Sequence, residues 1–310
     1  MYHDPVLLSE SLEALQLRSG GVYVDATFGG GGHSRAILTR LGDKGRLYAF
    51  DQDDDAAANA RQAPFAGEDR FVFVAANFRF LKRHLRVEGQ APGTIDGILA
   101  DLGVSSYQID TPERGFSYRF DAALDMRMNP QDERGAADIL NGYTAGELQR
   151  VLSDFGEVRN ARTLAQAIVQ QREKKAFRST GELVALCESL AMGERWRYLS
   201  QVFQALRMEV NDEVGALCDF LKEALEMLVP GGRLAVITYH SIEDRLVKNF
   251  FKTGDPEGIV QKDFYGNIAR PWNIITKKAI EPMSEEIQRN SRARSAKLRV
   301  GEKARGKPDE

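Results

Sequence analysis

Four consecutive glycines, Gly29 to Gly32, follow Asp25-Ala26-Thr27-Phe28 and lead into His33 and Ser34. Glycines at a strand-to-helix turn let the backbone come close to a ligand, so this stretch is a candidate binding loop. The dinucleotide fingerprint G-x-G-x-x-G, counted from Gly29, needs a glycine at position 34, where Ser34 stands. That mismatch argues against a nicotinamide cofactor seated by its pyrophosphate. Two more carboxylates close apolar runs, Asp51 and Asp101. Asp51 stands where a doubly wound fold offers a carboxylate to two ribose hydroxyls. Its neighbours Asp53, Asp54 and Asp55 suit the start of a helix, where anions meet the positive end of the dipole.

A Gly-x-Gly turn behind an acidic strand end suits S-adenosylmethionine, which has no pyrophosphate and needs room for its methionine part. Phe78, after a third apolar run, suits either stacking on adenine or a place in the core. Asp101 opens Asp-Leu-Gly-Val-Ser-Ser-Tyr-Gln, ending at Gln108. Amino-group methyltransferases carry Asp/Asn/Ser-Pro-Pro-Tyr/Phe at such a strand end, where side chain and carbonyl accept from the target amine. Asp101 meets the first requirement, while Leu-Gly replaces Pro-Pro.

These residues need a scaffold that gathers strand ends along one edge. Residues 22–27 predict a buried strand and 34–41 a helix, and strands follow at 46–51, 71–76 and 95–101 with helical patterns between them. Apolar strands alternating with helices predict a parallel sheet covered on both faces. The rhythm stops near Gly103 and resumes about a hundred residues later. There, residues 225–232 end a helix in a turn, 233–239 predict a fifth strand and 242–251 the helix after it. Between the halves, Thr144 with Glu147 and Ser179 with Glu182 have capping-box spacing. Leu148, Val151, Leu152 and Phe155 form one apolar stripe and Leu164, Ala165, Ile168 and Val169 another, which predicts an inserted helical domain. Residues 114–134 read as a loop.

Composition excludes several classes. The 310 residues suffice for one large or two ordinary domains, and 43% hydrophobic with 28% charged residues is the balance of a soluble globular protein. Apolar runs fall short of the ~20 residues that a membrane span needs, and no basic segment leads into an apolar core at the N-terminus. Cys187 and Cys218 both lie in apolar helical patterns and predict buried thiols in a reducing cytoplasm, with neither a disulfide nor a zinc site. The net charge of -3 names no partner. Locally, residues 159–178 hold six basic side chains against one acid, and 289–310 hold eight against three. Each run alone reads as a solvated helix face or tail.

Eight blocks in order carry a wider resemblance: DATFG with GGHS (25–34), DGILADLGVSS (96–106), ERGFS (113–117), LDMRM (124–128), FQALR (203–207), PGGRL (230–234), HSIEDR (240–245) and RARS (292–295). Together, from His3 to Arg299, the chain resembles the bacterial 16S rRNA cytosine-N4 methyltransferases, the MraW (RsmH) family. The resemblance implies an α/β fold, a Rossmann-like class I methyltransferase sheet from residues 1–110 and 211–310, with an all-helical substrate-recognition domain at 111–210. It implies methyl transfer from S-adenosylmethionine to a cytidine amine in the decoding region of 16S rRNA, within the small ribosomal subunit. Gly31, Gly32 and His33 then line the methionine part, Asp51 holds the ribose, Phe78 contacts adenine, and Asp101 and Gln108 complete the cofactor site. Asp101 and the backbone about Ser105 are the candidate acceptors for the amine. His240 is a candidate proton shuttle, or else orders its loop with Glu243 and Asp244. The family implies cytoplasmic location, no metal and no membrane, and allows a homodimer. With an RNA substrate the two basic runs acquire a purpose, since a base must be turned out of folded RNA while flanking phosphates are held. A methyltransferase for protein or small molecules would not need them, and an adenosine-nucleotide sensor would not need the Asp101 block.

Overall fold

The computed structural model describes residues 5–260, 262, 266, 268 and 270–305; His3 and the end of the basic tail lie outside the described residues. The chain divides into two compact units, Met1–Gly103 with Gly215–Glu310, and Val104–Val214. The helical insertion thus starts several residues before the expected position 111, directly after Asp101-Leu102-Gly103.

The first unit is built on a seven-stranded sheet of order β3-β2-β1-β4-β5-β7-β6. Its strands are β1 (Val22–Asp25), β2 (Arg46–Asp51), β3 (Phe71–Ala75), β4 (Ile95–Asp101), β5 (Leu228–Thr238), β6 (Trp272–Ile274) and β7 (Lys297–Lys303). The first five run parallel, as the alternation predicted, so this is the expected Rossmann-like α/β sheet. Residues on each strand alternate between two cores. Tyr23, Leu47, Ala49 and Leu99 enter one, and Val24, Tyr48, Phe50 and Ile98 the other. Burial on both faces is why these strands read as continuous apolar runs. The strand order reverses between β1 and β4, and the carboxyl ends of adjacent strands flank a crevice at such a switch point.

Two features depart from the sequence expectation. β5 begins at Leu228, inside the stretch expected to be a turn, because both Leu228 (against Ile95) and Arg233 (against Gly97) pair with β4. The Pro-Gly-Gly residues lie within that register shift, with Gly231 at φ 87°. The basic C-terminal run is also not a frayed tail throughout. Residues 297–303 form β7, antiparallel to β5 and β6 and wedged between them. Its alternation is weak because only Leu298, Val300 and Gly301 are buried.

The second unit packs the helices Ala136–Gly142, Ala145–Asp154, Ala161–Lys174, Thr180–Leu190 and Arg195–Val210 around its own core, which includes Leu148, Val151, Leu164, Ile168, Leu183 and Phe203. Both capping boxes form. Thr144 Oγ1 accepts from the Glu147 N–H at 3.3 Å while Glu147 Oε2 accepts from the Thr144 N–H at 2.7 Å. Ser179 and Glu182 repeat the exchange. The loop at 114–134 is not merely a surface connection, since Leu124 and Met126 are buried in this core. Of the two thiols, Cys187 is buried as expected, but Cys218 is only half-buried. Arg172 of the first basic run does not face solvent fully. Its guanidinium donates to the Leu140 and Tyr143 carbonyls, satisfying the end of Ala136–Gly142.

Candidate cofactor and catalytic site

The glycine loop leaves β1 toward β2. The Phe28 N–H donates to the Phe50 carbonyl at 2.8 Å, and the Gly31 N–H closes a tight turn onto the Phe28 carbonyl at 2.7 Å. Three of the four glycines serve different ends. At Gly31, φ is 75° and a Cβ would lie 2.5 Å from the Phe65 ring, so the position admits only glycine for reasons internal to the fold. A Cβ on Gly32 would meet the Pro5 ring at 3.0 Å. Gly29, at φ 50°, would meet nothing within 4 Å, so open space lies on that side of the loop.

Three carboxylates surround this turn, at the ends of β1, β2 and β4; Asp25 is fully buried and Asp51 and Asp101 are half-buried. Asp25 braces the loop, accepting from Ser34 Oγ at 2.7 Å and from the Thr27 N–H at 3.2 Å. Asp51 accepts from the Gly29 N–H through Oδ2 at 2.8 Å and from the Asp53 N–H through Oδ1 at 3.0 Å. The Asp51 carboxylate is thereby fixed in orientation, and each oxygen keeps further acceptor capacity for a ligand hydroxyl. Asp53 itself caps the helix Asp54–Ala60, as its position suggested. Burial raises both Asp25 and Asp51 to about 6, against the lowering effect of those donors.

Asp101 is the most connected of the three. Its backbone N–H donates to Thr27 Oγ1 at 2.7 Å, which locks the end of β4 to the glycine loop. Its Oδ1 accepts from the Tyr239 hydroxyl at 2.8 Å, and its Oδ2 lies 4.0 Å from His33 Nδ1. Burial raises Asp101 to about 6, with His33 and the Tyr239 hydrogen bond acting in the opposite direction. Burial also holds His33 below its usual range, and it drives the Tyr239 phenol well above the range of free tyrosine.

The remaining expected residues are placed as follows. Phe78 starts a short 3₁₀ turn after β3, half-buried, with its ring edge-on to Phe220 at 5.2 Å. The turn is set by Asn77, whose Oδ1 accepts from the Arg79 N–H and whose amide reaches Gln52. His240 caps the helix Ser241–Thr253, its Nδ1 accepting from the Glu243 N–H at 3.4 Å. Glu243 Oε2 accepts in turn from the Tyr239 N–H at 2.9 Å, and Asp244 accepts a two-pronged bond from Arg299 of β7. Ser105 and Gln108 belong to the second unit. There they form a capping box on the helix Ser106–Asp110, with Gln108 Oε1 accepting from the Ser105 N–H at 2.9 Å. Gly31, Gly32, His33, Asp51 and Asp101 thus come together at one edge, with Phe78 and His240 following β3 and β5.

Sequence reasoning missed Tyr239 and Thr27, which hold Asp101 from two sides. Tyr239 read as the last apolar residue of the fifth strand, and nothing local marks its hydroxyl as a partner for a residue 138 positions away. The Ser105-x-x-Gln108 pair also went unread as a cap, although its spacing is that of a capping box.

Comparison with known proteins places this geometry in a wider group. The model of the MraW methylase family matches residues 1–304. The chain is 52% identical over 303 residues to the ribosomal RNA small subunit methyltransferase H of Parabacteroides distasonis, covering 97% of each chain. It is 52% identical over 304 residues to the protein of the same name from Cytophaga hutchinsonii, covering 98% of this chain and all of that one. Among solved structures, TrmN from Thermus thermophilus aligns with 96% of this chain and 48% of its own at TM-score 0.44 and 17% identity. A SAM-dependent methyltransferase from Aquifex aeolicus aligns with 96% and 90% at TM-score 0.39 and 12% identity. No described helix is long and apolar enough to cross a membrane.

Proposed function

The chain belongs to the MraW methylase family, and on that premise we propose that it transfers a methyl group from S-adenosylmethionine to the N4 amine of a cytidine in the decoding region of 16S rRNA. The observation that carries the reading is the set of fixed acceptors at one strand edge, Asp51 beside the open Gly29 side of the loop and Asp101 tied to the same loop through Thr27.

The donor set suits this cofactor. Asp51 is placed for a ribose, its carboxylate already oriented by two backbone N–H groups. Phe78 offers a half-buried ring for adenine, Gly31, Gly32 and His33 form the methionine side, and Gln108 is assigned with them from the family. When bound, the sulfonium supplies an electrophilic methyl group; the protein's task is to prepare the amine. A cytosine amine is a poor nucleophile, because its lone pair is delocalised into the ring. It must be oriented, and its nitrogen must shed a proton as the new bond forms. Asp101 serves as the orienting acceptor. Tyr239 already takes one lone pair of Oδ1, so Oδ2 is the oxygen with the larger remaining acceptor capacity for the amine. The tyrosine hydrogen bond also fixes the carboxylate rotamer before substrate arrives, the condition for electrostatic preorganisation. The Ser105 backbone is the second candidate acceptor, and His240, engaged as a helix cap, is assigned to ordering the Tyr239–Glu243 turn.

The reading extends to RNA held within the small ribosomal subunit, to the cytoplasm as compartment, and to the helical unit as the substrate-recognition element with the basic side chains of residues 159–178. A homodimer is to be looked for by light scattering. The deciding experiment incubates the protein with labelled S-adenosylmethionine and unmethylated small subunits, then digests the RNA and identifies the labelled nucleoside. N4-methylated cytidine is expected. Label on protein only, or cofactor binding without transfer, would support the protein-methylating or the sensor alternative.

A further inference from the structure

The segment ahead of the first helix, Leu8–Leu15, is held against the glycine loop by contacts that the reading above leaves unused. Leu7 is fully buried and sits at φ 51°, a left-handed conformation that a leucine keeps only where its surroundings impose it. Two contacts hold it there, core packing of the leucine side chain and Glu286, on the helix Ser284–Arg289, whose Oε1 accepts from the Leu7 N–H at 2.8 Å. One residue earlier, the Val6 carbonyl takes the His33 Nε2 at 3.1 Å. One earlier still, Pro5 lies against Gly32 so closely that a Cβ there would sit 3.0 Å from its ring.

The chain of contacts has a chemical consequence. A carbonyl can only accept, so His33 Nε2 carries the proton, and in the neutral ring Nδ1 presents its lone pair toward Asp101. The segment therefore decides which face of His33 is an acceptor. Glu286 holds the segment and acts electrostatically on both His33 and Tyr239, the two groups that flank Asp101.

We propose that Glu286 is a positioning residue for the methionine end of the cofactor site: together with His33 it closes a clasp on residues 5–7, making that segment a wall of the site and setting the His33 tautomer. The proposal rests on the assignment of Gly31, Gly32 and His33 to the methionine end. A carboxylate suits the role because an ionised acceptor makes the stronger bond to a backbone N–H, while a glutamine would keep its shape.

The test uses the full chain with Glu286→Ala and Glu286→Gln, and two probes, S-adenosylmethionine and adenosine, which lacks the methionine arm. Hydrogen exchange at residues 5–8 should accelerate in Glu286→Ala and return most of the way to normal in Glu286→Gln. Binding of S-adenosylmethionine should weaken about tenfold in Glu286→Ala, as for loss of a hydrogen bond to a charged group. Adenosine affinity should stay unchanged, and the loss should fall more on KM for S-adenosylmethionine than on kcat, the split expected of a positioning residue. Unchanged exchange in Glu286→Ala would overturn the clasp. Equal weakening of both probes would reduce Glu286 to a general structural tie and overturn its role at the methionine end. If the wild-type chain bound adenosine and not S-adenosylmethionine, the cofactor assignment would fail, and the exchange readout would still judge the clasp. Should Glu286→Ala not fold, Glu286→Asp withdraws the carboxylate by one methylene and goes through the same comparison.

Discussion

Asp101→Asn should impair methyl transfer more than loss of one charge suggests, because Tyr239 decides which way the amide lies. The tyrosine hydroxyl donates to Oδ1 at 2.8 Å, and only the carbonyl oxygen of an asparagine can accept that bond. While the hydroxyl keeps donating, the amide nitrogen lies on the Oδ2 side, where it offers hydrogens to an amine that also offers hydrogens. A favourable transition-state contact is lost and a repulsive pair of donors takes its place. Removal of one preorganised electrostatic contact costs roughly 100- to 1,000-fold in turnover, about 3 to 4 kcal/mol, so a fall of at least that size is expected. The assay is single-turnover transfer to small subunits at saturating S-adenosylmethionine, which separates the effect from weaker cofactor binding. Tyr239→Phe alone, which leaves the carboxylate in place, should cost no more than about tenfold, the worth of one buried hydrogen bond. In the double variant the amide is free to flip and present its oxygen, so Asp101→Asn with Tyr239→Phe should be faster than the product of the two single losses. Transfer by Asp101→Asn within threefold of wild type would refute the assignment of Asp101 as acceptor. Strict additivity in the double variant would refute the proposed control by Tyr239.

Asp51→Ala should weaken S-adenosylmethionine about tenfold or more by calorimetry, through loss of charge-assisted bonds to the ribose; tight binding of NAD instead would contradict the site. Gly31→Ala should destabilise the first unit by about 1 to 3 kcal/mol in denaturant titration, because φ is 75° and the added methyl meets Phe65. With Asp51 and Asp101 both raised to about 6, the unliganded fold holds these protons more tightly than the unfolded chain does. Their contribution to stability therefore falls as pH rises from the ordinary carboxylate range through 6. Cofactor binding needs the ionised acceptors and should strengthen across the same interval, so melting temperature and affinity should move in opposite directions between pH 5 and 7. Asp51→Asn should flatten both trends. Replacing residues 135–193 by a short flexible linker, which keeps Ser105 and Gln108, should leave a chain that binds cofactor in calorimetry and transfers no methyl to small subunits; retained transfer would exclude the helical unit from substrate recognition.

Much of this architecture was legible because it is local. Strands buried on both faces announce themselves as apolar runs, and their terminal aspartates were visible as breaks in those runs. The capping boxes were legible because three residues fix their chemistry. What escaped was non-local. The strand β7 has two apolar residues among charged ones and is a strand only because β5 and β6 lie on either side. The Pro-Gly-Gly stretch inside β5 carries every sign of a turn, and the register shift against β4 shows that the chain does leave the ladder there before rejoining it. Asp101 was found from its place at a strand end, but its two anchors, Thr27 and Tyr239, come from other strand ends. Their side-chain types alone do not distinguish them from packing residues.

The split of the sheet across the chain has a consequence for synthesis. β4 emerges with its β5 side bare, and its partner follows more than a hundred residues later, an interval on the order of ten seconds at ribosomal elongation rates. During that interval the helical unit can complete its own core, whereas Ile95 to Asp101 presents an apolar edge with no neighbour, a template for pairing with other chains. β7 comes last of all and lies inside the sheet, so a nascent chain stopped before residue 297 would leave β5 exposed and β6 with nothing to pair with. The cofactor-binding unit is therefore finished only once residues 297–303 have emerged, and its yield in cells should depend on how well chaperones shield that edge during the wait.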